Sequence, residues 1–419
     1  MTAYWIYLLV ASVTVGAGVV GAMALPRHAA PLAVLTAIIA AALGIFSLRV
    51  LASGYGTTQA VLVALLFGIV GISAGYMIAA AALPHLASGT ADAAIMFSED
   101  AVTDAIVVLA LTEPERYSPR AVATLQNLFS DHPAGGLPPV ALPLVFMATR
   151  ARYQAAGGAS PAAPLTRSLV ARISAIIAER HPGMPVAVAW AHTPDDLALA
   201  VRTLASNGAS HISVVTLGSP DLGTAALARA TLAQMIDRAD ASRIRFAPSI
   251  WTHRTLSAHT ADRILAAAQA MPHEAIGVVL VGFGFPDDEG PHAKDAMRIE
   301  HCFDQRVKVL LCEAGFAEGH VRQAWLDWQD PDVTEAVRHV AALGCTRVLV
   351  APSTIPMPTI ETTLDLETAV SLARVPEGVH VMTLAPLGDA DVLAQAVVSS
   401  ALESLGLPTA DGCDHPDED

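Results

Sequence analysis

No aspartate or glutamate occurs before Asp92, and Arg27 and Arg49 are the only lysine or arginine residues in the same stretch. Three apolar runs fill it: Ala3 to Leu25, Pro31 to Leu48, and Ala60 to Leu83. A helix crosses a bilayer with about 20 apolar residues, and each run is long enough. A soluble fold would have to cover three such helices in succession without a charged face, which a chain of this size does poorly. Residues 1–90 therefore read as a multi-pass membrane anchor whose partner is the lipid bilayer. Glycine, alanine and serine recur within the runs and allow close helix packing. The first run lacks the basic start of a signal peptide. Arg27-His28 and 54–58 read as the connecting loops, with Arg49 assigned to the second. One arginine per loop does not fix the orientation by the positive-inside rule.

The rest of the chain has the opposite character. All 39 acidic residues lie there against 22 of the 24 basic ones, leaving a charge of about −17. Such a surface excludes nucleic acid and does not attract anionic lipid. Some 330 residues suffice for two lobes of ordinary size. The tail, residues 406–419, is acidic and reads as disordered. A Pro/Ala/Gly-rich segment, Asp131 to Pro143, reads as a loop between the first helix and the next strand.

An internal repeat sets the fold class. Ala200 to Val215 and Ala336 to Ala351 each read as an amphipathic helix, a terminating glycine (Gly208, Gly344) and a short β-branched strand. A helix leading into a buried strand is half of a βαβ unit, so two copies predict two similar α/β lobes. Met184 to Ala191 and Ala275 to Gly284 read as further strands, apolar enough to be buried on both faces. The expected fold is thus two doubly wound, Rossmann-like lobes preceded by three transmembrane helices. Ligands in such folds sit beyond the carboxyl ends of strands. That rule gathers Trp190 to Pro194, Leu217 to Pro220, Phe283 to Asp288 and Pro352 to Pro358 around one cleft.

Two segments carry candidate chemistry. Tyr153-Gln-Ala-Ala-Gly157-Gly158-Ala159-Ser160-Pro161 is a tight turn entering a helix over 165–177. Its backbone either approaches a flat ligand or serves only to turn the chain. In Ile360-Glu361-Thr362-Thr363-Leu364-Asp365, the two carboxylates lie four residues apart and share a face if helical. They either pass on a divalent cation or accept protons, or they simply solvate a helix start.

With those segments in place, residues 104–405 resemble the ferrochelatases, which insert ferrous iron into protoporphyrin. The resemblance follows, in order, 105–114, Ser118-Pro119-Arg120, Leu128 to Asp131, and the Gly157-Gly158-Ala159-Ser160-Pro161 loop with Thr166. It continues through Arg245 to Trp251, Trp325-Leu326, the second repeat copy, Glu361-Thr362 and Leu366. The resemblance implies a chelatase, a lyase, of two lobes around a porphyrin cleft, with ferrous iron and porphyrin as substrates and no permanently bound cofactor. It implies Glu361 as proton acceptor or metal ligand and Asp365 as metal feeder. Tyr153, Gly157, Gly158, Ser160, Pro161, Trp190 and Phe283 are expected to line the tetrapyrrole. Because haem is made in the cytoplasm, the soluble region is assigned to that side, in keeping with four cysteines that form no disulfide-like framework.

The departures are as informative. The family's Ser-Ala-His-Gly-Leu-Pro motif reads Val281-Gly-Phe283-Gly-Phe-Pro286, so phenylalanine stands where a proton-handling histidine is usual. Phenylalanine stacks on a macrocycle but takes no proton. His192, at the end of the 184–191 strand, is the preferred substitute base. His253 and His292 read as ordinary loop histidines. Cys302, Cys312, Cys345 and Cys413 are not grouped, so no iron–sulfur cluster is expected. Three functions follow: an active chelatase, a degenerate tetrapyrrole-binding protein, or a docking subunit of a membrane protein complex.

Overall fold

The computed structural model describes residues 2–26, 29–55, 58–87, 94–98, 102–130, 138–193, 195–220, 222–237, 240–268, 271–284 and 291–409. By internal contacts the chain forms two units, one of 1–88, 116–131 and 135–159, the other of 89–115, 132–134 and 160–419.

The first unit holds helices α1 (Thr2–Ala24), α2 (Ala30–Tyr55) and α3 (Thr58–Ala82), followed by α4 (Pro119–Ser130) and α5 (Leu142–Ala155). The first three are long and apolar enough to cross a membrane. Their outward faces expose Ile6, Leu32, Ile45, Leu66, Ile69 and Ile78, as lipid-facing helices do. Glycine brings backbones together as the small-residue pattern predicts. A Cβ on Gly16 would meet Ile72 O at 2.0 Å, and one on Gly75 would meet Val13 O at 2.0 Å. At the end of α1, Arg150 Nη1 donates to Ala22 O at 2.8 Å and Leu25 O at 2.7 Å, satisfying carbonyls that a helix end leaves open. Tyr117 donates to Ala24 O there, and burial pushes its hydroxyl up to about 12.

Two expectations are corrected. Arg49 belongs to α2, which continues to Tyr55, and not to a loop. The segment after α4 leads into α5, not a strand, because Leu142-Pro143 begins a helix with proline in its first turn; residues 131–137 of that segment lie outside the described residues.

The second unit is the two-lobed α/β body. Its strands are β1 (Thr103–Ala110), β2 (Val186–Trp190), β3 (Ala209–Leu217), β4 (Ile244–Phe246), β5 (Ile276–Gly282), β6 (Val321–Trp325), β7 (Arg347–Pro352) and β8 (His380–Thr383). Its helices are α6 (Ala162–Arg180), α7 (Asp196–Ser206), α8 (Leu222–Met235), α9 (Arg254–Ala268), α10 (Pro291–Glu313), α11 (Val333–Ala342), α12 (Leu366–Leu372) and α13 (Asp391–Leu405). The strands form two parallel sheets, ordered β2-β1-β3-β4 and β6-β5-β7-β8, so the second lobe repeats the first. Val107 pairs with Val214 in one and Val279 with Val350 in the other.

The repeat seen in the sequence is α7–β3 and α11–β7. Gly208 and Gly344 end the two helices at φ +92° and +94°, a conformation costly for any other residue. Every residue of β5 is buried, as a parallel strand covered on both faces requires. One core joins the lobes, running from Ile106 and Val108 through Trp251 and Phe303 to Leu349 and Val397.

Candidate functional site

The carboxyl ends of β1 and β2 carry the first group of candidate residues. Past β1 the chain reads Leu111-Thr112-Glu113-Pro114. Thr112 O lies 2.8 Å from Nδ1 of His192, which follows β2. A carbonyl only accepts, so Nδ1 carries the proton and Nε2 presents a lone pair. Burial lowers the His192 pKa below its usual value, outweighing the Thr112 carbonyl and the Asp196 charge, which raise it. The Trp190 ring is tilted against His192 at 5.6 Å, and the Trp190 N–H donates to Asp196 Oδ2 at 2.7 Å.

The next residue, Glu113, was not singled out by sequence. Its Oε1 accepts from Ser160 Oγ at 2.5 Å and from the Ile360 N–H at 2.6 Å. One carboxylate therefore joins the Ser160-Pro161 turn to the residue before Glu361. Ser160 is 2% exposed, and its hydroxyl also accepts from Ala162 N–H at 3.1 Å. It holds the turn, while Pro161 is exposed.

Glu361 and Asp365 open and close a single π turn that runs into α12. In this wider turn a residue four further on falls just short of one revolution, so the two half-buried carboxylates share a side. A reciprocal cap fixes the turn: Thr359 N–H donates to Thr362 Oγ1 at 2.8 Å and Thr362 N–H to Thr359 Oγ1 at 3.2 Å. Among the described residues no three His, Cys, Asp or Glu side chains converge as a metal cage.

The second lobe ends differently. Phe283, half-buried, follows β5, and its N–H donates to Glu300 of α10. Glu300 also accepts from Trp325 Nε1 of β6 at 2.8 Å and from Thr354 Oγ1, just past β7, at 2.5 Å. A single side chain, 1% exposed, thus ties the carboxyl ends of three strands. Burial raises its pKa against the three hydrogen bonds. Asp304, one turn on and 2% exposed, is raised well above the usual range by burial and by the Glu300 charge. Ser353 and Gln323 lie beside it and favour its charged form, yet neither closes a well-formed hydrogen bond, so both carboxyl oxygens stay unpaired.

Beyond β6, Leu326 N–H donates to Gly282 O at 3.0 Å and Asp327 N–H to Phe283 O at 3.1 Å. Gly284, at φ +89°, sits where a Cβ would meet Asp327 O at 2.0 Å. The same loop holds Trp328 at φ +66° with 49% of its surface exposed, a strained aromatic that sequence reasoning also missed. Residues 285–288 of the expected 283–288 loop lie outside the described residues, as does the His292 side chain.

The structure therefore assembles His192, Glu113, Ser160 and the Glu361 turn around the end of β1, and Phe283 and Trp325 around the end of β5. Tyr153, Gly157 and Gly158 belong to the first unit. Tyr153 is buried there against the Tyr117 ring at 6.1 Å, and the two glycines adopt φ +81° and +92° with open space where a Cβ would sit. The positive φ values explain the paired glycines. His253 is buried and bonded to Ser400 Oγ at 2.8 Å, an ordinary core histidine.

The sequence model of the ferrochelatase family matches residues 103–405. No curated protein matches the chain. Solved structures that the chain matches include a multi-domain protein from Deinococcus radiodurans, described as similar to chelatases, at 14% identity and a TM-score of 0.43. The match covers 72% of this chain and 56% of that one. Another is SirB from Bacillus subtilis with Fe3+, at 16% identity and a TM-score of 0.43, covering 73% of this chain and all of SirB. A third is the cobalt complex of the sirohydrochlorin chelatase SirB from Bacillus subtilis subspecies spizizenii, at 13% identity, a TM-score of 0.38, and 72% and 95% coverage.

Proposed function

The chain belongs to the ferrochelatase family, and from that premise we propose that it is a membrane-tethered chelatase that inserts a divalent metal, ferrous iron foremost, into a porphyrin. Residues 1–90 anchor it, residues 91–405 carry the reaction, and the catalytic part faces the cytoplasm. Insertion breaks two pyrrole N–H bonds, forms metal–nitrogen bonds and releases two protons. The observation that carries the reading is the cluster around the end of β1. There His192 presents a lone pair on Nε2, and Glu361 sits on a turn held by Glu113. His192 Nε2 accepts one proton and the Glu361 carboxylate the other. Glu361 and Asp365 hand on the cation. Trp190, Phe283 and Trp328 offer aromatic faces to a flat macrocycle. A bilayer anchor suits substrates that partition into lipid.

Phe283 supports a second reading, a protein that binds a tetrapyrrole without metallating it, because it removes the family's usual base. Absorbance titration of the full chain in detergent decides between them: protoporphyrin first, then zinc or anaerobic ferrous iron. A metalloporphyrin spectrum forming faster than in protein-free detergent supports the chelatase. A shifted Soret band with no metallation leaves only the binding protein, and no shift at all overturns both in favour of a docking subunit.

A further inference from the structure

We infer that Glu113 is a positioning residue for Glu361, an inference that rests on the chelatase reading. Three observations lead there. Glu113 Oε1 takes both the Ser160 hydroxyl, 47 residues later, and the Ile360 amide, 247 residues later. The Ile360 amide belongs to the opening of the π turn, where backbone N–H groups lack partners within the turn itself. And Glu113 stands directly after Thr112, whose carbonyl fixes the His192 tautomer. The peptide Thr112-Glu113 therefore governs both proposed proton acceptors: through its carbonyl the imidazole, through its carboxylate the turn that bears Glu361.

The physical reason is geometric. A π turn is uncommon and less regularly bonded than an α turn, so its direction depends on what holds its first residues. The Thr359–Thr362 cap fixes its internal shape but not its orientation against the first lobe. Glu113 supplies that orientation, because its backbone is continuous with β1, an interior strand of the first sheet. An amide–carboxylate bond of 2.6 Å is charge-assisted and stronger than a neutral one. Displacing a reacting group by about 1 Å can cost on the order of a hundredfold in rate. Glu113 acts by this route and needs no contact with substrate.

The test uses the full chain in detergent with Glu113→Ala and Glu113→Gln. Metallation rates with zinc and protoporphyrin, the protoporphyrin Kd and hydrogen exchange of peptides spanning 357–366 are the readouts. For Glu113→Ala we expect kcat to fall on the order of 10- to 100-fold, KM and Kd to stay within about twofold, and exchange across 359–363 to quicken. Glu113→Gln, which keeps an acceptor oxygen and loses the charge, restores most of kcat and the slow exchange, and the pH–rate profile keeps its shape. The inference is overturned if Glu113→Ala leaves kcat and exchange unchanged. It is equally overturned if Glu113→Gln is as impaired as Glu113→Ala, or loses a limb of the pH profile, since the charge would then act in the chemistry. Should the wild type bind protoporphyrin without metallating it, the chelatase reading fails by itself. Exchange across 359–363 in the two variants then still decides whether Glu113 holds the turn.

Discussion

The two lobes share a strand order but finish their strands with opposite chemistry. Ala110 pairs with Trp190 at the end of the first sheet, and Gly282 pairs with Trp325 at the matching place in the second. In the first lobe the tryptophan ring lies against His192, a half-buried imidazole. In the second the indole donates to Glu300, buried in the core and bonded to three strand ends. The alanine-to-glycine difference follows, because a Cβ on Gly282 would meet Glu300 Oε1 at 2.2 Å. Phe283, just past β5, has its backbone tied down by the same carboxyl group. The repeat thus ends in two ways: a half-buried imidazole held by a carbonyl past the first sheet, and a buried carboxyl group bracing three strand ends in the second.

The comparison breaks first at Glu361. On the chelatase reading, Glu361→Ala lowers kcat on the order of a thousandfold and leaves protoporphyrin Kd within about twofold. A surviving rate would move the chemistry elsewhere. His192→Ala should cost about a hundredfold in kcat. Because burial depresses the His192 pKa, its base form persists to lower pH than a free imidazole. The acid limb of the wild-type rate profile should therefore fall below the usual histidine range and disappear in the variant. A limb at or above that range would assign it to another group.

How much of this was legible in the sequence depended on distance. The lobes, the strand β5 buried throughout and the terminating Gly208 and Gly344 follow from short-range periodicity and turn chemistry, and the structure bears them out. By contrast β2, expected to be buried on both faces, is a half-buried edge strand, because no strand among the described residues pairs on its outer side. Arg49 reads as a loop residue because it follows directly on an apolar run, whereas its helix continues to Tyr55. Glu113 falls inside the family-like segment 105–114 but carries no local signal of its role, since its partners Ser160 and Ile360 are distant in sequence. Glu300 and Asp304 left a trace that was available. They fall on the same helical stripe as Phe303, Val307 and Leu311, all buried, and acids on a core stripe demand partners. What the stripe does not reveal is that Trp325, Thr354 and the Phe283 amide supply them.

Stability experiments sharpen the same contrast. Gly282→Ala drives a methyl into Glu300 and should destabilise the fold by about 3 kcal/mol, through overpacking and the loosening of buried hydrogen bonds. Ala110→Gly, at the matched position, removes only a buried methyl and some backbone restraint, for about 1 kcal/mol. Equal losses in denaturant unfolding of the two variants would show that Glu300 does not close the second lobe.

The smallest effect comes from Asp304, and its sign depends on pH. In the folded chain burial and the Glu300 charge raise the Asp304 pKa well above the ordinary carboxylate value, while the unfolded chain keeps that ordinary value. The folded state then binds more protons throughout the interval between the two values, so stability falls as pH rises through it. Below the ordinary carboxylate range both states are protonated and the contribution is fully present. Asp304→Asn carries no proton to lose and has nearly the same shape. At neutral pH it should therefore be more stable than the wild type by about 1 kcal/mol, with the advantage shrinking to nothing as the pH is lowered into the carboxylate range. Tm measured across that range checks both the size and the direction. An advantage that grew toward acid pH would mean that Asp304 is held as a stabilised carboxylate, and the wall of the second lobe would be charged after all.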